Sequence, residues 1–180
     1  MLVFLVSAGI YFGFWAVKYR MPPSQAKLID LRKSPADQVR YLTFCAGLAD
    51  NPVGFPGHAY VVWSPTSQVD VMNDFSLSFI PTYFRDQVPS LVSYVPGVVL
   101  KNLKGNNRNL DQLSVMVSES DYEETKKLGI LFGSSGASFK TGERDCVAFV
   151  DLLARKIGMK TPGHNGLFPQ DYVRILKEMN

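Results

Sequence analysis

Residues 54–64 read Gly54-Phe55-Pro56-Gly57-His58-Ala59-Tyr60-Val61-Val62-Trp63-Ser64. Two glycines and a proline interrupt the chain, and the seven residues after them have the β-branched and aromatic character of a strand. The run decides the fold because comparable stretches flank it. Residues 39–47, VRYLTFCAG, have the same character, and residues 69–80, VDVMNDFSLSFI, follow the turn sequence Pro65-Thr66-Ser67-Gln68. Residues 39–80 therefore predict an antiparallel meander. With Trp63 set opposite Val69 across that turn, His58 falls opposite Asp74.

Helices come late in the chain. One more strand is expected within 90–100 and another at 113–118. Ser120 and Glu123 have the spacing of a capping box, which opens a helix to about Phe132 with Gly129 as a soft spot. Asp145 suits the cap of a second helix, in which Val147, Val150, Leu153, Ala154 and Ile157 recur at helical spacing before Gly158. Pro169 sits at the start of a third, over 168–179. Residues 101–112 and 133–144 read as polar and Gly/Ser loops. Strands first and helices last predict an α+β domain, an antiparallel sheet packed with helices, over 39–180. Residues 21–38 are polar with three prolines and read as a linker, with a short strand or turn at Leu28–Leu31.

The first twenty residues differ from the rest. Residues 2–17, LVFLVSAGIYFGFWAV, contain no charge. At about 1.5 Å per residue the run spans about 25 Å as a helix, a little short of a bilayer core of about 30 Å. Tyr11, Trp15 and Tyr19 could sit at the interface, and Lys18 and Arg20 follow the run. No positive side chain precedes it and no small-x-small cleavage site ends it, so residues 1–20 read as a hydrophobic helix forming a single-pass membrane anchor. A signal peptide and a buried helix are the alternatives. Lys18 after the run would put the domain on the cytoplasmic side, but two charges do not decide it, and the side of the membrane stays open.

Composition removes several functions. Hydrophobic residues make up 46% and charged residues 19%, against a disordered chain. The net charge of +3 is scattered, with no basic helix, so nucleic acid is not an expected partner. Two cysteines about a hundred residues apart and two histidines form no metal spacing, and no Walker motif or G-x-S-x-G elbow occurs. No metal or cofactor is expected.

Cys146 falls at the first helical position after Asp145. Unpaired N–H groups and the helix dipole there favour an anion, whether a thiolate or the oxyanion formed when it attacks a carbonyl. Asp145 opposes a second negative charge nearby, and the bland reading is a small residue packed under the helix. A nucleophilic cysteine needs a base. His164, in Thr161-Pro162-Gly163-His164, reads as an exposed loop residue without a role, so His58 is the candidate. Cys45, in an apolar strand, reads as core.

PGHAYVVWS (56–64), followed much later by DCVAFVDLLARKIGMKTP (145–162), resembles the circularly permuted papain-like thiol enzymes. These are permuted relatives of the NlpC-type cell-wall peptidases and of the lecithin retinol acyltransferase-like proteins. The resemblance covers about residues 39–178 and implies a permuted papain-like fold with Cys146 as nucleophile and His58 as general base. The orienting polar residue of that group, often a histidine on the next strand, has no histidine counterpart here. Asp74 is the first choice, with Asp70 and Asn73 as alternatives. The expected function is a cysteine-dependent peptidase or amidase acting through a thioester. The alternatives are a lipid-directed acyltransferase or phospholipase, and a binding or scaffold module without activity. Expected partners are a peptide, amide or lipid-ester substrate and a membrane.

Overall fold

A computed structural model describes residues 24–47, 57–70, 73–102, 111–134, 136–164 and 166–180. The expected N-terminal helix and the loops around 48–56 and 103–110 lie outside them. The strands are β1 (Lys27–Asp30), β2 (Arg40–Gly47), β3 (His58–Ser64), β4 (Phe75–Pro81), β5 (Val95–Lys101), β6 (Asp111–Val117) and β7 (Ser138–Phe139). The helices are α1 (Glu119–Phe132), α2 (Cys146–Lys156) and α3 (Pro169–Met179). The protein is a mixed α+β domain built on one seven-stranded sheet of order β1-β6-β2-β3-β4-β5-β7. Among the described residues only the β1–β6 pairing is parallel.

The pleat of the central strands sorts their side chains. Ala59, Val61 and Trp63 of β3 join Leu42, Phe44, Leu77, Leu113 and Val115 in the main core. All three helices pack on that face, through Tyr122 of α1, Phe149, Val150 and Leu153 of α2, and Tyr172, Val173 and Leu176 of α3. On the opposite face Cys45, Tyr60 and Val62 form a smaller buried cluster, with Val69 against it. Trp63 Nε1 donates to Thr125 Oγ1 at 3.2 Å and ties β3 to α1. Gly129, read from sequence as a soft spot, is a packing requirement: a Cβ there would stand 2.9 Å from Leu77 Cδ1.

Three expectations are corrected. First, β4 begins at Phe75, and Trp63 pairs with Phe75, not Val69. The reason is local chemistry. Asp70 N–H donates to Asp74 Oδ2 at 2.8 Å, and Asn73 Nδ2 to Asp70 Oδ2 at 2.6 Å. Such side-chain bonds offer the backbone a turn in place of a ladder. Second, Ser118, not Ser120, caps α1, its hydroxyl accepting from Asp121 N–H at 3.2 Å. Third, residues 24–30 are part of the domain rather than a linker, because β1 pairs along β6.

A buried ionic cluster fastens that edge. Asp111, fully buried at the start of β6, accepts from Ser24 N–H at 2.7 Å and from Arg174 Nε of α3 at 3.1 Å. Ser24 Oγ also donates to Asp111, and Lys177 Nζ donates to Ser24 Oγ and, at 2.9 Å, to the Gln25 carbonyl. Burial lowers the Lys177 ammonium below the usual lysine range, while Asp111 works against that shift.

Removing one partner of such a cluster strands the other charges away from water. Asp111→Ala is therefore expected to cost about 3–5 kcal/mol in urea denaturation. Asp30→Ala, which breaks the surface pair with Arg32 (2.7 Å), should leave the urea midpoint nearly unchanged. Equal losses would contradict the assignment of Asp111 as the anchor of this edge.

Candidate active site

Cys146 opens α2 as expected. Asp145 is extended (φ −129°, ψ −166°) and caps the helix, Oδ1 accepting from Val147 N–H at 2.9 Å and Ala148 N–H at 3.0 Å. Its Oδ2 accepts from Gly142 N–H at 2.6 Å, so one carboxylate fixes both the helix start and the loop leading into it.

The Cys146 thiol is buried on the helix side of the sheet, in the core that includes Ala59. Burial pushes it up to about 12, and the Asp145 charge adds to the rise. The nearby main-chain N–H groups of Ala59, Cys146 and Val147 pull the other way, although that of Val147 is itself bonded to Asp145. The thiol is therefore protonated at neutral pH. Ala59 and Cys146 share that core, and α2 packs against β3.

His58 begins β3 and pairs across to Gly47 of β2. Gly57 before it adopts φ +84°, a left-handed conformation that favours glycine, and this turns the chain into the strand. The imidazole keeps some surface, yet burial lowers it to about 4. It is neutral at pH 7, the form a base requires.

The two candidates therefore meet at adjacent positions but on different faces. Strand alternation turns Ala59 toward α2 and turns His58, Tyr60 and Val62 to the other side. The His58 ring stacks beside Tyr60, centroids 6.2 Å apart and planes 29° apart. Tyr60 in turn pairs its hydroxyl with the Cys45 thiol, which burial raises to about 12. Sequence reasoning treated Cys45 as core and passed over Tyr60. The period-2 alternation from His58 to Tyr60 and the pairing with β2 were the signals that join them.

Asp74 is not an orienting residue for His58. The corrected register carries Asp70, Asn73 and Asp74 to the far end of the β3–β4 pair, where they bond to one another. The length of β3 intervenes, about 20 Å at roughly 3.3 Å per residue.

His164, expected to be an exposed loop residue, lies half-buried with Nδ1 3.8 Å from the Asp151 carboxylate. Asp151 is itself buried on α2, accepting from Tyr172 Oη at 3.1 Å and pairing with Arg155 at 2.8 Å. Among the described residues no cluster of His, Cys, Asp and Glu could hold a metal ion.

No protein-family model, curated protein or solved structure matches the chain. The functional reading rests on the geometry of these residues.

Two measurements test the electrostatics. Asp145→Asn keeps a capping oxygen but removes the charge, so the thiol pKa should fall and Cys146 should be alkylated by iodoacetamide faster at pH 8. Asp145→Ala should in addition lose about 1 kcal/mol of stability. An unchanged alkylation rate in Asp145→Asn would contradict the charge effect. For His58 the folded pKa lies below the unfolded value of 6.5. Between pH 6.5 and 4 the unfolded chain takes up a proton that the folded chain refuses. Stability should therefore fall with pH through that window, by up to about 3 kcal/mol at about 1.4 kcal/mol per unit. His58→Gln should flatten the decline in urea midpoints, and an unaltered slope would show an imidazole in ordinary solvent.

Proposed function

We propose that this protein is a membrane-anchored, cysteine-dependent hydrolase of amides, with a permuted papain-like arrangement of its sheet and nucleophile helix. One observation carries the reading: Cys146 sits at the N-terminus of α2, buried in one core with Ala59, the residue after His58. Residues 2–17 supply the anchor by their uncharged sequence. Acyl transfer to an amine or alcohol, including transfer from a lipid ester, would use the same nucleophile and base.

In this mechanism the His58 ring leaves Tyr60, swings round the start of β3 and accepts the thiol proton. The thiolate forms a bond to the substrate carbonyl carbon, and N–H groups at the start of α2 hold the oxyanion. Collapse breaks the bond to the leaving amine or alcohol, which takes the proton from His58 and leaves a thioester on Cys146. Water, deprotonated by His58, then releases the acid and restores the thiol. Thiol and imidazole are both neutral at rest, so proton transfer accompanies attack once the ring has swung round. No third residue is assigned.

A second reading, a binding module without chemistry, draws on the stacking of His58 against Tyr60 and the raised thiol pKa. The two separate in the hydrolysis of p-nitrophenyl esters, which report the nucleophile whatever the natural acyl donor. Cys146→Ala should lower kcat/KM by about 10³-fold. His58→Ala should lower it by about 10²–10⁴-fold, with loss of the acid limb of the pH profile. His164→Ala should leave it within about threefold. Turnover that survives Cys146→Ala would overturn the proposal, and loss in His164→Ala but not His58→Ala would overturn the choice of base.

A further inference from the structure

The connection between β4 and β5 exposes an unusual run of apolar side chains. Phe84 is 84% exposed, Val88 74% and Val92 82%, and Tyr83, Leu91 and Tyr94 are more than half exposed. Singly exposed apolar residues are ordinary, whereas a contiguous set marks a contact surface. The set is contiguous here. Residues 84–86 and 89–91 form two successive 3-10 turns, joined through helical Gln87 and Val88. Phe84, Val88 and Val92 recur at four-residue steps along this coil.

The inner side of the coil is fixed. Ser90 is buried, and its hydroxyl bonds to the Gln87 carbonyl at 2.6 Å and to Thr141 Oγ1 at 2.9 Å. Thr141 N–H donates to the Ser90 carbonyl at 3.0 Å, and Tyr94 Oη donates to Glu143 at 2.8 Å. With Ser90 pointing in, the residues two before and two after it, Val88 and Val92, point out. The loop is thus a rigid presentation of apolar side chains, not a loose segment.

We propose that this face docks on the surface of a lipid bilayer, with Phe84, Val88, Leu91 and Val92 in the boundary between headgroups and acyl chains. Two observations favour lipid over a protein partner, and a third is compatible with it. The uncharged run 2–17 is followed by only six residues before Ser24, which lies bonded into the sheet edge. At no more than about 3.5 Å per residue that spacer reaches about 25 Å, so an inserted run holds the domain within that distance of the bilayer. The charges of the connection do not repel an anionic leaflet, because Arg85 balances Asp86. Glu143 at the rim is already paired with Lys140. Tyr83 and Tyr94 bracket the apolar set, with Arg85 over the Tyr83 ring at 5.2 Å and Lys140 over the Tyr94 ring at 5.2 Å. Amphipathic rings with cations beside them suit the headgroup level. The proposal does not depend on catalysis by Cys146.

Full-length protein carrying Val92→Cys, labelled with the environment-sensitive fluorophore NBD, would be reconstituted into phosphatidylcholine–phosphatidylserine vesicles. Both preparations carry Cys146→Ala, because a reactive Cys146 would also take the label, and Cys45 is left in place as a buried thiol. A second preparation labels Lys160→Cys, beyond the far end of α2 from the Ser90–Thr141 contact. The expected result is blue-shifted emission from position 92, quenched by doxyl-labelled lipids at least about twofold more than position 160. Water-like emission quenched by aqueous iodide would overturn the proposal. Blue-shifted emission indifferent to doxyl lipid would also overturn it, since it would show the face covered by a second copy or by another part of the chain.

Discussion

The alternation of side chains along β3 is the constraint on which the rest depends. Ala59, Val61 and Trp63 are committed to the core under the helices. Trp63 is bonded to α1, and Ala59 is small enough for the start of α2 to approach its peptide. His58, Tyr60 and Val62 are committed to the other face by the same backbone geometry. A one-residue slip would exchange the two sets and bury an imidazole under α2. The burial of Trp63, worth roughly 2–3 kcal/mol or more by area, is what forbids that slip. Core packing therefore sets where the candidate base can stand.

Cys146 lives under opposed influences. Burial and the Asp145 carboxylate favour the thiol, while nearby main-chain N–H groups and the helix dipole favour the thiolate. The balance falls on the thiol. The same carboxylate is indispensable to the helix start, because it satisfies the N–H groups of Val147 and Ala148 and holds Gly142 in place. A cap chosen for stability thus works against an anionic nucleophile. That tension is consistent with a site in which the proton leaves sulfur only as the carbonyl is attacked.

Much of this was legible in the sequence, unevenly. β2, β3 and α2 lie within a residue of their expected bounds because each has a strong local signal: β-branched runs bounded by glycine, or a capped helical period. Cys146 at the start of α2 follows directly from Asp145. The β3–β4 register did not emerge, because Asp70, Asn73 and Asp74 satisfy one another's polar groups and extend the turn by several residues. A short strand or turn was expected at Leu28–Leu31, close to β1, but its pairing was hidden because its parallel partner β6 lies more than eighty residues away. The face occupied by His58 was readable in principle, since Ala59, Val61 and Trp63 are the residues a helix-covered face would take. The His164–Asp151 contact depends on the packing of α2 against the loop before α3 and has no sequence signature.

The central claim is that Cys146 accepts an acyl group with His58 as its base. Its most direct test is site-resolved mass spectrometry after brief mixing of the protein with an activated acyl ester and quenching in acid. The predicted result is a hydroxylamine-labile acyl mass on the Cys146 peptide, absent from the Cys45 peptide and strongly reduced in His58→Ala. An unmodified Cys146, or an adduct that forms equally fast without His58, would contradict it.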